Sequence, residues 1–406
     1  MFNVQILQST LMTVLNYLEP TVGKNTMNLG DDCICMESTD TGSCRFFTSN
    51  TLEFALLEAI CANSTNHAMA PCVNFKRLKG IISTIPSTEY VTLKDSGTND
   101  LLISWAMKKT PIKLTGNINN MISVPSVFTT SPLIMNDLPT KFLKDAATKA
   151  SNIIQDSVAN TLMNCIKLSI NTPDVTVEAI DVNTKRTFFM TQPIGNTTTP
   201  QSYHLEASKL AKALKMFEDY PDIEIGDENN ITLIKSSSPK PNGCKTVDII
   251  DTMYAIRNLA GAFPVVSQYY TATYLPMEYI TVNKAELLNS IARIKAVVDN
   301  STTVPPSITI NADKGEFNLN YISTYGEIDD MVDTDNSITV PFGASFNYKN
   351  FEEVIKNIPC EFVDIGIMQK TNSNFIVRGS NTGNNVYTGG DMYTILSTNA
   401  QAKQTP

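Results

Sequence analysis

Apolar residues recur at steps of three and four positions in three separate stretches of the chain. In the first stretch they run from Phe75 to Ile85, Pro86 follows, and Tyr90–Leu93 then alternates between apolar and polar residues. This pattern predicts a short amphipathic helix that ends at the proline and leads into a strand. The apolar positions of the three stretches are Phe75, Leu78, Ile81, Ile82 and Ile85; Leu210, Ala213, Leu214 and Phe217; and Tyr348, Phe351, Val354, Ile355 and Ile358.

A second set of apolar stripes precedes these helices, at residues 4–18, 143–154 and 287–298. Corresponding positions lie 132 residues apart from Leu78 to Leu210 and 141 residues apart from Leu210 to Phe351. A period of this length predicts three repeated domains rather than a solenoid of short units. We place the domains at residues 1–128, 129–273 and 274–406, each with two helices.

Short strand-like segments lie between and after the predicted helices. Cys33–Met36, Val175–Ile180 and Phe317–Ile322 carry β-branched, aromatic or alternating residues. Two helices among many strands, repeated three times, predict an α+β fold with both helices on one face of antiparallel sheets. Thr51–Ala62 is harder to assign, because its residues favour a helix whereas the repeat requires a strand. We predict a strand.

The composition is that of a globular protein with several domains. Of 406 residues, 42% are hydrophobic and 17% charged, and two or three domains are expected at this length. Linkers are predicted at Pro125–Pro139 and Tyr270–Pro276, where Pro and Thr collect. No apolar run reaches about eighteen residues, and Met1–Gln5 lacks the basic region of a secretion signal. We therefore expect a cytoplasmic protein in a reducing compartment whose eight cysteines, from Cys33 to Cys360, are free thiols.

No motif in the sequence supports catalysis. The two histidines, His67 and His204, have no Ser or Cys nucleophile in a recognisable motif near them. A glycine-rich phosphate loop is absent as well, since Asn381–Asn385 and Gly389–Gly390 are typical of hairpin turns. We expect a protein that is not an enzyme and has no cofactor.

Two groups of residues could hold a metal ion, but each has a simpler interpretation. The cysteines between Cys33 and Cys72 lack the usual ligand spacing, and alternating cysteines also build a small apolar face on a strand. The acidic residues between Asp329 and Asp335 are more simply a solvated acidic loop. We therefore predict no metal site.

Three features of the sequence resemble one known family. The first is the threefold order of helix, proline and strand. The second is Leu259–Pro264, similar to a family loop that ends in Gly-x-Phe-Pro, and the third is Met392–Leu396, similar to the family's last strand. The family is the bacterial-type sliding clamp, the DNA polymerase III beta subunit, here in a divergent form that a phage could encode. The resemblance covers about residues 1–399.

The resemblance implies three repeated DNA-clamp domains that form half of a ring, closed head to tail by a second copy into a homodimer. It implies that helices line the hole, that the ring encircles duplex DNA without reading its sequence, and that it tethers the replicative polymerase. Polymerase and clamp loader would bind through short peptide motifs, with no membrane involved. Two rival interpretations are a repeat-built scaffold or virion-associated binding protein without DNA function, and a hydrolase on an α+β scaffold.

A clamp should carry basic residues on the helix faces opposite the apolar stripes. At about 100° per residue, eight basic and three acidic residues lie within about 60° of those faces, although the chain has 40 acidic and 31 basic residues and a net charge of −9. On the helix predicted over residues 4–18, the face opposite the apolar stripe carries only the uncharged residues Gln5, Ser9 and Asn16. Such faces could also be ordinary solvated surface, but the resemblance favours contact with DNA. The basic residues are Lys76, Lys141, Lys144, Lys212, Lys215, Arg293, Lys349 and Lys356, and the acidic ones are Asp145, Glu286 and Glu353.

The resemblance also implies an apolar pocket for partner peptides between the second and third domains. Two departures from the family pattern lie there. Asp181–Thr187 stands where the family often has Asp-Gly-His-Arg, and Leu396–Asn399 where it ends Met-Pro-Met-Arg, so a changed peptide preference is expected. The alternative is that these are core and turn residues only. The implied pocket residues are Met163, Asn164, Arg186, Thr187, Pro264, Gln268, Tyr269, Ile395, Leu396, Ser397 and Thr398.

Overall fold

The structure of the chain is a computed structural model. It describes residues 1–23, 30–50, 52–108, 110–116, 133–154, 161–171, 173–181, 186–194, 200–236, 240, 244, 246–298, 307–323, 325–369, 374–380 and 392–395.

Each third of the chain repeats one order of strands and helices, as the sequence predicts. A strand leads into a helix, three strands follow, and a further strand leads into a second helix and three more strands. The first third adds one short strand, β5, to this order. Its elements are β1 (Asn3–Leu7), α1 (Gln8–Leu18), β2 (Cys33–Ser38), β3 (Ser43–Ser49), β4 (Glu53–Ile60), β5 (Asn63–Ser64), β6 (Val73–Asn74), α2 (Phe75–Ile82), β7 (Tyr90–Asp95), β8 (Asp100–Ser104) and β9 (Ile112–Thr115).

The other two thirds follow the same order. The second third consists of β10 (Leu133–Pro139), α3 (Thr140–Ile153), β11 (Cys165–Asn171), β12 (Asp174–Asp181), β13 (Arg186–Pro193), β14 (Gln201–Glu206), α4 (Ala207–Ala213), β15 (Asp222–Glu228), β16 (Ile231–Ser236) and β17 (Ile249–Arg257). The last third consists of β18 (Ile280–Asn283), α5 (Lys284–Val297), β19 (Ser307–Asp313), β20 (Glu316–Ser323), β21 (Gly326–Val332), β22 (Phe342–Asn347), α6 (Tyr348–Asn357), β23 (Phe362–Ile367), β24 (Phe375–Gly379) and β25 (Met392–Ile395).

The strand pairing repeats as well, and it is antiparallel throughout. The strand before the first helix pairs with the strand after the second helix in all three thirds, as β1–β7, β10–β15 and β18–β23. The two strands that flank the intervening region pair as β2–β6, β11–β14 and β19–β22. The predicted α+β fold with three repeated modules is therefore confirmed.

Two joints connect the thirds through their sheets. In each joint, the third strand after a first helix pairs with the last strand of the next third, as β4–β17 and β13–β25. The third strand after the remaining first helix is β21, and the last strand of the remaining third is β9. In the part of the chain that the structure describes, both lie at the edge of their sheets and have no such partner. We call β9 and β21 the open edges.

The chain divides into two compact units that do not coincide with the three repeats. The first unit contains the sheet β10-β15-β16-β17-β4-β3-β2-β6 and the sheet β5-β1-β7-β8-β9. The second contains the sheet β14-β11-β12-β13-β25-β24-β23-β18 and the sheet β21-β20-β19-β22. The first unit is Met1–Asp145, Thr197–Thr199 and Lys209–Leu259; the second is Ala146–Asn196, Pro200–Ser208 and Ala260–Pro406. The limits of the three domains stay a prediction.

Asparagine residues begin three of the helices. The side chains of Asn74, Asn283 and Asn347 accept hydrogen bonds from backbone N–H groups in the first turns of α2, α5 and α6. Such caps satisfy donors that the helix itself cannot, and a polar residue just before an apolar stripe is the usual signal for them. Within the described residues, no helix is both long and apolar enough to cross a bilayer.

The predicted helix over residues 4–18 begins too early. Val4, Gln5 and Leu7 lie in β1, which pairs with β7, and the helix starts at Gln8. Val4 and Ile6 are buried on one side of β1, so a two-residue alternation precedes the helical spacing. Gln5 is therefore not a helix-face residue. The linker predicted at Pro125–Pro139 is also partly wrong, because its end forms β10.

The strand predicted within Thr51–Ala62 is confirmed as β4. The strand lies between β3 and β17 in the middle of its sheet, and both its faces are buried. Burial of both faces explains why its apolar residues run continuously instead of alternating. Tertiary packing here overrides the helix propensity of the segment.

The prediction that all cysteines are free thiols is wrong for one pair. Cys35 on β2 and Cys72 just before β6 form a disulfide, while six cysteines are free. Cys33 and Cys35 pack with Phe47, Phe54 and other buried residues in one apolar cluster, so the apolar strand face expected of them is confirmed. The pairing of β2 with β6 brings residues distant in sequence together.

The disulfide predicts a simple thiol count. Denatured, unreduced protein should expose six thiols to a chromogenic reagent, whereas reduced protein should expose eight. A Cys72→Ser variant is the matched control, because it frees Cys35 and should give seven in both states. A count of eight without reductant would contradict the disulfide.

The remaining sequence interpretations have mixed outcomes. Asp329 and Asp330 lie in strand β21 and not in a loop, and no group of acidic, Cys or His residues in the described segments could hold a metal ion. The hairpin turns predicted at Asn381–Asn385 and Gly389–Gly390 lie outside the described residues.

Candidate functional site

An aromatic cluster in the second unit occupies the region of the predicted peptide pocket. Its buried residues are Val266, Tyr270, Met368 and Ile376, and we call it the Tyr270 cluster. Around this centre pack partly buried hydrophobic residues, namely Ile180, Phe189, Phe263, Tyr269, Tyr274, Leu275, Tyr279 and Met392. The 3₁₀ helix Ser267–Tyr270, which follows Leu259–Pro264, carries Tyr269 and Tyr270 into it.

Stacking and one buried hydrogen bond order these rings. Tyr270 and Phe189 stack with centroids 4.9 Å apart, and Tyr269 meets Tyr274 edge to face at 6.2 Å. The Tyr270 hydroxyl lies 2.7 Å from Oγ1 of Thr187. Burial raises the pKa of Tyr270 well above its usual value, so the hydroxyl stays protonated as a hydrogen-bond partner.

The structure brings several predicted pocket residues together. Tyr269 belongs to the cluster, and Thr187 contacts it through the hydroxyl of Tyr270. Pro264 lies in the sequence between the cluster members Phe263 and Val266. Gln268 is exposed on the same 3₁₀ helix. Leu396, Ser397 and Thr398 lie outside the described residues.

The other members of the predicted set lie around the same loop and strand. Met163 and Asn164 are partly exposed in the turn Thr161–Asn164. Leu162 of that turn approaches Gly261, where an added Cβ would come within 3.0 Å of the leucine Cδ2. Ile395 is buried and pairs with Arg186 across β25 and β13.

Arg186 was predicted in the pocket, but its side chain points to the helices instead. The side chain is 0% exposed and pairs with Glu353 of α6. Its Nη2 donates to the carbonyl oxygen of Ile153 at the end of α3, at 2.8 Å, and lies 3.9 Å from the Asp181 carboxylate. Successive strand residues face opposite sides, so Thr187 reaches the cluster and Arg186 cannot. The Arg186 side chain therefore does not line the cluster.

The sequence interpretation missed the aromatic residues that contribute most to the cluster. Phe189 could have been found, because it lies two residues beyond Thr187 on the same face of β13. Phe263, Tyr274 and Tyr279 could have been suspected from the density of aromatic residues after Gly261. The sequence around Met368 and Ile376 does not indicate that they belong to the cluster, because strand pairing brings these residues to it.

Five basic residues predicted to face DNA belong to the first unit. Lys76, Lys141, Lys212 and Lys215 are exposed, and no acidic partner is found for them among the described residues. Lys144 pairs with Glu218 at 2.9 Å. In this unit α1 packs against α2 and against the 3₁₀ helix Leu214–Phe217. Lys76 and Lys215 therefore lie on helices that both contact α1.

The remaining three lie in the second unit, and two of them have acidic partners. Arg293 donates from Nε to Asp330 at 2.7 Å, and Lys356 pairs with Glu352 at 2.6 Å. Lys349 is exposed beside the ring of Tyr348. The two cations are more than half exposed, but their carboxylate partners are only 21% and 14% exposed, so contact with a phosphate would compete with these pairs.

Glu352 shows how α5 and α6 are held together. Its carboxylate accepts from Lys356 on its own helix and from Lys295 on α5. Burial alone would raise the pKa of Glu352, but these two cations lower it below its usual value.

The acidic residues predicted on the helix faces lie in different surroundings. Glu353 is used by Arg186, whereas Asp145 is half-buried and Glu286 exposed.

No model of a known protein family matches the sequence, and no curated protein is detectably similar to it. Solved structures match it over nearly its whole length. The sliding clamp from Pseudomonas aeruginosa bound to griselimycin is 12% identical, with a TM-score of 0.80 and coverage of 98% of this chain and 99% of that one. The DNA polymerase III beta subunit from Thermotoga maritima is 15% identical, with a TM-score of 0.78 and coverage of 99% and 100%.

A third match is the Helicobacter pylori beta clamp bound to a DNA ligase peptide. It is 15% identical, with a TM-score of 0.77 and coverage of 98% of this chain and 100% of that one. The chain therefore has the fold of the DNA polymerase III beta sliding clamps, in a sequence that has diverged far from these structures. The resemblance expected from the sequence is confirmed at the level of the fold.

Proposed function

We propose that this chain is a non-enzymatic DNA sliding clamp: two copies close into a ring around duplex DNA and tether a polymerase. The observation that carries the proposal is the pair of open edges in a fold shared with beta sliding clamps. A cytoplasmic location in a bacterial or phage-infected cell follows from this role. A scaffold without DNA function would not require two open edges at the two positions that pair with each other in the joints.

The repeat scheme supports ring closure by a second copy. Within the chain, β4 pairs with β17 and β13 pairs with β25. The third member of this series would be β21 of one copy with β9 of the other. Because each copy carries both open edges, two copies can satisfy them in a closed, heterologous dimer. An unpaired edge otherwise invites uncontrolled association.

Charge on the open edges agrees with such a contact. Glu327 and Asp329 are exposed on the same face of β21, while Lys113 is exposed on β9. Lys113 also pairs with Asp100 of its own chain at 2.7 Å. An acidic edge against a basic edge favours the heterologous pairing and disfavours pairing of two like edges.

A charge exchange tests the dimer. Glu327→Lys combined with Asp329→Lys should weaken self-association by at least about tenfold, and Lys113→Glu should do so to a smaller extent. A mixture of the two variants should form dimers again, because both contacts of the mixed dimer pair unlike charges. Sedimentation velocity measures the dimer fraction.

The control for this exchange is Asp313→Lys combined with Glu316→Lys. These residues are exposed at the far end of the same sheet and should leave the dimer unchanged. If the mixture stays monomeric while the control dimerises, the proposed edge pairing is wrong.

Duplex DNA would be bound through phosphates only. Lys76, Lys141, Lys212, Lys215 and Lys349 are exposed on helices in a chain whose net charge is −9. A basic inner wall inside an acidic protein attracts DNA to one surface and repels it from the others. Contacts to phosphate carry no sequence information, which fits a protein that must move along DNA.

The Tyr270 cluster is the proposed site for partner peptides, including those of the polymerase and the clamp loader. The support is its partly exposed apolar rings, together with the DNA ligase peptide bound by the Helicobacter pylori clamp. Apolar surface with a few polar groups is the usual composition of such sites.

Retention on circular DNA tests the function as a whole. Protein loaded on a nicked circle, with a bacterial clamp loader and ATP, should stay bound during gel filtration and leave once the circle is cut. A protein held by affinity alone would remain on the linear product. Release at the same rate from circles and linear DNA would overturn the proposal.

A further inference from the structure

The disulfide between Cys35 and Cys72 lies at the edge of a sheet in the first unit. β6 consists of Val73–Asn74 alone and pairs with β2, and in the described part of the chain it is the last strand of its sheet. The register of this pairing continues to Cys35 and Cys72, which face each other with their Cα atoms 4.6 Å apart. Strand pairing therefore keeps the two sulfur atoms close together whether or not they are bonded.

The surroundings of the pair suit both of its redox states. Cys35 and Cys72 are 0% and 1% exposed, and they pack with Phe47, Leu56 and other apolar residues in one cluster. A buried thiol behaves as a small apolar side chain, so the reduced pair fits the same cluster. Reduction therefore removes the cross-link and leaves the fold in place.

The nearby thiol of Cys33 does not compete for either sulfur. Cys33 lies two residues before Cys35 on β2 and belongs to the same cluster. Its Sγ donates to the Asp32 carboxylate at 3.4 Å, and burial together with this carboxylate raises the pKa of Cys33 to about 12. Because the thiolate is the form that attacks a disulfide, Cys33 does not rearrange the pair. Its bonding state depends on reagents from outside.

The cross-link holds the start of α2. Asn74 caps this helix, and Phe75 begins it three residues after Cys72. The other polar ties that the structure describes for this segment are the short β6 pairing and two hydrogen bonds to Asp32. These come from the Asn74 side chain at 2.7 Å and the Phe75 amide at 2.9 Å. A disulfide restricts the open chain, so its loss lets this segment open more often.

Reagents reach the disulfide only when β6 opens. Gly116 packs over the segment before β6, where an added Cβ would come within 2.7 Å of the Pro71 Cβ and 3.0 Å of the Cys72 carbonyl oxygen. The strand that must be released is only two residues long, so opening breaks few hydrogen bonds. The disulfide is therefore covered in the closed state and accessible in a local opening.

We propose that Cys35 and Cys72 form a reversible redox lock on the start of α2. A dithiol reductant opens the lock: its thiolate attacks one sulfur, and the other cysteine leaves as a thiolate and takes up a proton. The second thiol of the reductant then displaces the first cysteine. Two electrons and two protons thus pass to the pair, and the reductant becomes a disulfide.

A transient disulfide of this kind is the usual kind in a reducing cytoplasm. The cytoplasmic location belongs to the proposed function, but the lock goes beyond that function and its test does not depend on it. The lock makes the position of Lys76, in the first turn of α2, depend on the redox state of the pair.

Hydrogen exchange measured by mass spectrometry tests the lock on the full chain. Native protein is incubated with and without dithiothreitol, and both cysteines should become thiols in the treated sample. Exchange in peptides covering residues 72–80 should then be at least about tenfold faster. Peptides covering β14–α4 and β22–α6, the corresponding parts of the other two thirds, should be unchanged. Replacing the reductant by glutathione disulfide should restore slow exchange.

The contrary results are distinct from one another. A disulfide that resists dithiothreitol in the native protein and yields only after unfolding would be a permanent cross-link. Equal exchange of residues 72–80 in both states would show that the cross-link restrains nothing. Faster exchange throughout the first unit would show that it supports the whole unit. Each of these outcomes contradicts the proposal, and none of them bears on retention on circular DNA, so the clamp function is tested separately.

Two pairs of variants sharpen the test. Cys72→Ser should show the fast exchange of the reduced protein with or without dithiothreitol, whereas Cys33→Ala, which also removes one thiol, should respond like the wild-type protein. Gly116→Ala should displace the covering segment from Pro71 and raise the rate of reduction. Gly80→Ala, where an added Cβ meets no atom within 4 Å, should not raise it. If both alanine variants are reduced at the same rate, the reductant does not enter where β6 opens and the proposed route is wrong.

Discussion

Replacing Arg186 by methionine should destabilise the second unit by about 3 kcal/mol, near the lower end for a broken buried ion pair. The methionine keeps most of the volume but removes the cation that lies 3.9 Å from Asp181, a carboxylate that is 3% exposed. Glu353 is 48% exposed and regains water when Arg186 is removed. We therefore do not expect the largest losses seen for broken buried ion pairs, about 5 kcal/mol. The free energy of unfolding in urea measures the loss.

Two further variants identify the cause of this loss. Arg378→Met removes an arginine that is 40% exposed and pairs with Asp364, an 11% exposed carboxylate that keeps its hydrogen bond from Thr281, and it should cost less, about 1–2 kcal/mol. Adding Asp181→Asn to Arg186→Met should recover part of the stability, because it removes the buried charge. Equal losses for Arg186→Met and Arg378→Met would show that the buried network contributes little.

Reversing two helix lysines, Lys212→Glu and Lys349→Glu, should reduce the amount of protein loaded on nicked circles by at least about tenfold at moderate salt. Each lysine that contacts a phosphate also contributes about 0.9 to the slope of log affinity against log salt. Both residues are exposed, one in each unit. Loading is measured as the amount of protein that elutes with nicked circles in gel filtration after loading at several salt concentrations.

The matched control for the DNA experiment reverses two lysines that are not on helices. Lys94 in β7 and Lys314 in the turn after β19 are exposed, again one in each unit. Lys94→Glu combined with Lys314→Glu changes the net charge equally. If both double variants are loaded on nicked circles equally well, total charge matters and the helix faces do not.

Local spacing was enough to predict the elements whose pattern is unambiguous. The stripes at α2 and α6 are preceded by Asn74 and Asn347, which cap the helices, so pattern and cap agree. At β1 the residues Val4 and Ile6 fit both a strand and a helix start. Only pairing with β7 decides between them, which a local pattern cannot reveal.

Contacts between distant segments account for the other differences at the site. The family resemblance pointed to the loop Leu259–Pro264 and to the strand β25, but it did not give the direction of each side chain. Arg186 therefore was expected in the pocket although its strand turns it toward α3 and α6. The disulfide between Cys35 and Cys72 likewise depends on the pairing of β2 with β6.

The two joints carry different buried polar groups at the same repeat position. Glu53 begins β4 and accepts a hydrogen bond from the Tyr254 hydroxyl at 2.6 Å, whereas Arg186 begins β13. In the third repeat the corresponding strand begins with Gly326. A strand that entered the wrong joint would bury a carboxylate or a guanidinium without its partners, at a cost of several kcal/mol. The buried polar groups therefore favour one order of the three modules within the chain, because each joint pairs only the polar group of its own strand.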